Sequence, residues 1–172
     1  MASASEYRQL IESTAPDWSG VVPFWQRIVN QDTPGWDPGK AFEYLVLRAF
    51  ELDGAEVRYP FPVQLFDEGA AVEQIDGAIH LPGLSCIVEC KDEAERISFE
   101  PIAKMRNQLL RRPGGIAGVV FSRSGFTPPA VRLAHFCSPQ SVLLWDGLSS
   151  GTRSPTPLAD WSHGCGASTA AS

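Results

Sequence analysis

The sequence is poor in the residues that build metal cages and disulfide frameworks. Its 172 residues include four cysteines, and Cys86, Cys90, Cys137 and Cys165 form no CxxC pair. Three histidines, His80, His135 and His163, lie far apart. Neither a zinc site nor a disulfide scaffold can be assembled from such spacing, so these residues read as core thiols and surface imidazoles. Long hydrophobic runs are also missing. No stretch of about 18 uncharged apolar residues occurs, and residues 1–10 hold no apolar export-type segment, so the expectation is a cytoplasmic protein that does not span a membrane. There is no internal repeat, no helix-turn-helix pattern and no zinc finger, hence no added module for reading DNA.

An excess of positive charge is the next absence. Fourteen Lys/Arg stand against twenty Asp/Glu, a net of -6, which argues against coating nucleic acid by bulk electrostatics. The average hides an asymmetry: residues 1–90 carry five basic and fourteen acidic residues, whereas residues 101–172 carry seven basic and two acidic. The second half can face phosphates, or its basic helix faces are simply solvated. What the chain does have is core material. A hydrophobic content of 44% with 20% charged residues suits one compact domain.

Residues 4–14 and 21–30 pattern as short amphipathic helices separated by Pro16 and Gly20, with Trp18, Phe24 and Trp25 as apolar anchors. After the turn-rich stretch 32–39, residues 40–53 form a strong helix stopped by Gly54. Phe42, Tyr44, Leu45, Val46, Leu47, Ala49 and Phe50 make it apolar nearly all round, which predicts burial against a sheet. Extended runs follow at 55–66, interrupted by Pro60 and Pro62, at 71–81 and at 84–91, a three-stranded meander. Residues 101–112 form an amphipathic helix, 116–122 a continuous apolar strand, 128–137 a helix capped by Thr127 and Pro128, and 141–145 a last strand. The predicted fold is α/β, a three-layer sandwich with a central mixed β-sheet flanked by helices in the order αβββαβαβ. Its expected divisions are an N-terminal helical extension (1–38), a core (39–148) and a flexible C-terminal tail (149–172), whose Trp161 either docks locally or marks a partner contact.

Four charged residues stand out: Glu43, Asp76, Glu89 and Lys91. Residues two apart in a strand share a face, so Glu89 and Lys91 point together with Ser85 and Ile87, while Cys86, Val88 and Cys90 face the other way. Charges at the end of an otherwise buried strand need compensation. If residues 71–81 and 84–91 pair antiparallel through Pro82 and Gly83, partner numbers sum to about 165 and Asp76 falls opposite Glu89. Two acids facing each other are destabilising unless a cation lies between them, and a hard, oxygen-seeking ion such as Mg2+ suits that pair. Glu43 lies on the buried side of its helix, either as a third carboxylate for the ion or as a first-turn glutamate favoured by the helix dipole.

Residues 39–145 resemble the PD-(D/E)xK nuclease superfamily, restriction-endonuclease-like in fold and closest to its Mrr-like branch. Lys40, Ala41, Phe42 and Glu43 open the first core helix; Gln74, Ile75, Asp76 and Gly77 carry the motif aspartate; and Val88, Glu89, Cys90 and Lys91 form the (D/E)xK element. Ile75 stands where that motif's proline would be. The resemblance implies an Mg2+-dependent endodeoxyribonuclease, with Mn2+ as a substitute ion. Asp76 and Glu89 would hold the metal together with the Cys90 backbone carbonyl, Glu43 would add to them, and Lys91 would orient or activate water. Arg106, Arg111, Arg112 and Arg123 are candidates for contacts to the DNA backbone. Gln108 and Leu109 look like the glutamine-leucine motif of the RecB-like branch, although Arg112 occupies the place of its tyrosine. Residues 121–127 resemble a strand-to-helix turn that approaches the substrate, and also suit a plain loop.

Two further readings follow. The acidic balance and the missing DNA-reading module suit a partner-dependent or non-catalytic nucleic-acid-binding subunit, or a homodimer, docked through Trp18, Trp25 and Trp36 or through the tail. Such a chain could be the effector of a defence or restriction system. The third reading is a fold of this class that has lost activity and keeps its acids as core ion pairs.

Overall fold

A computed structural model describes residues 3–63 and 73–146. The expected tail at 149–172 and the run at 64–72 lie outside the described residues.

Two helices open the chain. In α1 (Ala4–Thr14) Ser3 caps the first turn and Glu6 reaches back to the Ser3 N–H at 2.6 Å, a reciprocal pair that satisfies two orphan donors. α2 (Trp18–Val29) starts earlier than its pattern suggests, because Asp17 accepts the Ser19 N–H at 2.8 Å and caps it. Gly20 therefore lies inside α2 instead of separating the helices. The third helix, α3 (Lys40–Leu52), ends where Gly54 takes φ +91°. There the Ala55 N–H donates to the Phe50 carbonyl at 3.0 Å and the Gly54 N–H to that of Glu51 at 3.1 Å, a Schellman ending that only a residue free of Cβ makes without strain.

The main sheet has five strands in the order β1-β4-β5-β6-β7: β1 (Glu56–Arg58), β4 (Gly77–Leu81), β5 (Leu84–Lys91), β6 (Ile116–Ser122) and β7 (Val142–Asp146). β1, β4 and β5 run antiparallel to one another, whereas β5, β6 and β7 run parallel. β5 is thus the seam between an antiparallel half and a parallel half. The expected meander is present, but its first two runs each break in two. β2 (Phe61–Val63) and β3 (Glu73–Ile75) leave the main sheet and pair with each other. Gly77 opposite Val88 and Leu81 opposite Leu84 give the register expected from Pro82 and Gly83. Gly83 supplies the φ of +80° that this two-residue turn requires.

Helices cover both faces, giving the three-layer α/β sandwich. On one face α3 packs against β1, β4 and β5, with α1 and α2 laid over its outer side. This explains the all-round apolar character of α3: Phe42, Tyr44, Leu45, Val46, Leu47 and Phe50 are buried between sheet and helices. Trp36 stacks against Tyr7, Phe24 and Tyr44, and Trp25 meets Phe42, so two of the tryptophans suggested as docking residues hold the helical layer together instead. Trp18 is likewise partly buried against the core. On the other face lie α4 (Glu100–Leu110) and α5 (Pro128–His135), where Ile102, Met105, Leu109 and Ala130 form a second core with Ile75, Ile87, Val120 and Val142. No helix among the described residues is long and apolar enough to cross a membrane.

Candidate active site

β5 alternates as strand geometry requires. Cys86, Val88 and Cys90 enter the core beneath α3, and Ile87 enters the core beneath α4. Glu89 and Lys91 therefore face the α4 side, at the C-terminal end of the seam strand.

Asp76 occupies the break between β3 and β4. Its carboxylate accepts the Cys90 N–H at 2.9 Å, which fixes the aspartate beside Glu89 just past the last ladder pair, Gly77 and Val88. Burial raises its pKa, and the neighbouring Glu89 raises it further against the opposing effect of that hydrogen bond. Glu89 is buried in the end of the strand, and Lys91 pairs with it at 2.9 Å. Hydrogen bonding to Glu89 and the field of Glu89 and Asp76 hold the Lys91 pKa above its ordinary value, against desolvation. Lys91 is charged at neutral pH.

Glu43 approaches from the opposite layer, on α3. Desolvation and the nearby Asp76 push its carboxyl up to about 7, even though Lys40, one turn earlier, donates to it at 2.5 Å. It lies within electrostatic reach of Asp76 and Glu89. The acids thus come from both sides of the sheet and converge on the end of β5 without closing into a cage. Among the described residues no group of three His, Cys, Asp or Glu side chains stands at metal-ligand spacing.

α4 contributes a residue that sequence reasoning missed as part of the site. Lys104 Nζ donates to both oxygens of Glu89, at 2.9 and 2.8 Å. Fifteen residues separate the pair, and helix and strand periods link them only once the crossover is known. A cleft of about 350 Å³ opens here, lined by Glu89, Lys91, Glu93, Ser98, Glu100 and Lys104 among others.

The four candidate arginines do not gather at the cleft. Arg111 and Arg112 both pair with Glu73, Arg112 at 2.6 Å, and they sit at the far end of α4, about 10 Å along its axis from Lys104 at 1.5 Å per residue. Arg123 pairs with Asp92, next to Lys91, and its N–H donates to the Lys91 carbonyl at 3.1 Å. Arg106 is exposed on α4 and lies near Cys137. Gln108 is buried one turn beyond Lys104, and its side-chain amide nitrogen has no hydrogen-bond partner among the described residues. Thr127 opens α5, though its side chain makes no capping bond. In the turn before it, Ser122 Oγ donates to the Gly125 carbonyl at 3.0 Å.

Two adjacent carboxylates, a lysine paired with one of them and an open cleft thus lie together at the end of β5. A restriction endonuclease family, that of the Mrr catalytic domain, matches residues 37–149. The chain belongs to this family. Members of the Mrr restriction endonuclease family generally use divalent metal ions. Among solved structures, the chain resembles AF1548, a protein of unknown function, at 17% identity and a TM-score of 0.55 over 71% of this chain and 65% of that one. This likeness shows the fold. Also similar are the DNA modification-dependent restriction endonuclease AspBHI (17% identity, TM-score 0.45, 98% of this chain and 43% of that one) and the MspJI restriction endonuclease in complex with a 27-mer oligonucleotide (17%, 0.45, 87% and 33%). The chain spans less than two thirds of the length of each. No curated protein matches the sequence significantly.

The donor set of this Mrr-type site suits a hard divalent ion. Asp76 and Glu89 supply oxygens only, and two carboxylates completed by water and phosphate are what Mg2+ ordinarily accepts. An ammonium head already sits across both Glu89 oxygens, where the carboxylate would meet a cation.

Proposed function

We propose that this chain is a metal-dependent endonuclease that hydrolyses phosphodiester bonds of DNA, with Mg2+ as the working ion and Mn2+ able to replace it. One observation carries the reading: the Cys90 N–H locks Asp76 beside Glu89, while Glu89 and Lys91 share a strand face that opens into one cleft. Asp76, Glu89 and the Cys90 carbonyl would hold the ion, which polarises the phosphate and lowers the pKa of a bound water. Lys91, held charged by its acidic neighbours, orients the attacking water and offsets the negative charge that grows on the phosphate oxygens. Glu43, its carboxyl pushed up to about 7, is partly protonated near neutral pH and so limits repulsion among the acids until a cation arrives. Water adds its oxygen to phosphorus, one P–O ester bond breaks, and the leaving oxygen takes up a proton.

In this reading residues 39–148 form the catalytic core, residues 1–38 are a helical layer bound to it, and the protein acts in the cytoplasm as the effector of a defence or restriction system. Supercoiled plasmid incubated with Mg2+ tests it. Native protein should nick or cut the plasmid, and Lys91→Ala and Asp76→Ala should not; cleavage by both variants at the native rate refutes the site.

The arginine placement favours one addition. Arg111, Arg112 and Arg123, three of the four arginines expected to contact DNA, already hold acidic partners within the chain and are less available to grip it. A second copy or a protein partner would supply the missing grip. Size-exclusion chromatography paired with a DNA-binding assay checks this: a monomer that binds and cuts unaided removes the need for one.

A further inference from the structure

Glu89 has more positive charge against it than a structural ion pair requires. Its side chain is 3% exposed and Lys91 already neutralises it at 2.9 Å. A second ammonium arrives from α4, where Lys104 Nζ contacts both carboxylate oxygens, at 2.9 and 2.8 Å. That is where a divalent ion sits when both oxygens of a carboxylate ligate it. Two features make the Lys104 contact exchangeable. Its side chain is 49% exposed, so the long stem can leave the acid without crossing packed core. Glu100, one turn earlier on α4, also lines the cleft and offers an alternative partner in the acid-before-base order that favours (i, i+4) pairing. Lys91 has less freedom, because its side chain is only 28% exposed.

Resting on the nuclease reading of the same site, we propose that Lys104 is an exchangeable counter-ion of the active site. It neutralises Glu89 while no metal is bound, competes with the divalent ion for that carboxylate, and on displacement contacts a substrate phosphate in the cleft. A fixed salt bridge would make no contact with substrate: its removal would weaken the fold and leave the phosphate contacts unchanged.

The test is a calorimetric titration of Mn2+ into native protein, Lys104→Met, Lys104→Gln and Lys104→Arg, without DNA. Loss of a competing half-exposed cation should tighten Mn2+ binding in both neutral variants by about fivefold, whereas Lys104→Arg should bind as the native protein does. In the Lys91→Ala background, which blocks cleavage, DNA affinity is then measured with Mn2+ across a KCl series. Removing one phosphate contact should make the slope of log affinity against log salt shallower by about one. Two neutral variants of different polarity, each checked by thermal melting, separate a folding defect from the effect sought. Unchanged Mn2+ affinity in both, or an unchanged salt slope, overturns the inference. Native protein that binds Mn2+ through Asp76 while the Lys104 variants behave identically overturns this inference alone; native protein that binds no Mn2+ overturns the nuclease reading with it.

Discussion

Burial and a neighbouring acid raise the Glu43 carboxyl to about 7 from an ordinary value of 4.5, and this makes a single residue measurable in the stability of the whole chain. Between those two values the folded protein keeps a proton that the unfolded chain has released, so stability falls as pH rises through that window and levels off above it. A shift of this size corresponds to at most about 3 kcal/mol. Asp76 is shifted in the same direction and adds to the trend. Metal-free protein should therefore melt at progressively lower temperature from pH 5 to pH 7.5, and Glu43→Gln should flatten that slope and raise the melting temperature at pH 7.5. An equal slope in the variant assigns the pH dependence to other groups. The placement of Asp76 beside Glu89, and of Glu89 and Lys91 on one strand face, was legible in the sequence because strand alternation and hairpin arithmetic are local rules. Lys104 was not, because its contact depends on how far α4 is offset from β5. The partners of Arg111, Arg112 and Arg123 were equally hidden, since charge counts carry no information about pairing in space.

Among the elements, α3 and β4 meet closely at Gly77. A Cβ there would lie 2.5 and 2.8 Å from the two methyl groups of Leu47 and 3.2 Å from the Arg58 carbonyl oxygen. Leu47 is four residues beyond Glu43 on the same helix face, so the bare glycine lets α3 settle onto the sheet and brings Glu43 to Asp76. Gly77→Ala should cost about 1–3 kcal/mol through overpacking and reduce plasmid cleavage more than that loss of stability explains, because it moves Glu43 away from its neighbour. Urea unfolding gives the first quantity and cleavage of plasmid by the folded variant the second; a native rate would disconnect the helix seating from the site. The burial of α3 was readable from its apolar circumference. The splitting of the 71–81 run was not: its hydrophobic alternation continues through Asp76, and only the side-chain bond to the Cys90 N–H breaks the ladder there.

On the scale of the whole molecule, the helical layer formed by α1 and α2 is not separable packing. Tyr7, Ile11, Phe24 and Ile28 are buried in the same core as Tyr44, Leu45 and Phe50, so a chain beginning at residue 39 would present an apolar helix face to water. That shortened chain should aggregate, or bind the dye ANS strongly, where the full chain does neither; a well-folded, dye-silent fragment would show the layer to be dispensable. The layered α/β arrangement was legible from element order and periodicity, because crossovers and hairpins leave few topologies open. The tryptophans of the N-terminal region misled for a related reason. Aromatic side chains look the same in sequence whether they face a partner or an internal stack, and Trp36 is held by three aromatic neighbours.

The seam position of β5 leaves two charges of the site on different architectural supports. The aspartate arrives through a short hairpin from the antiparallel side, while the α4 lysine arrives through a crossover helix from the parallel side. Under the proposed exchange the two supports meet at the Glu89 carboxylate, so a change in either half that shifts Glu89 would alter ion capture and substrate grip together.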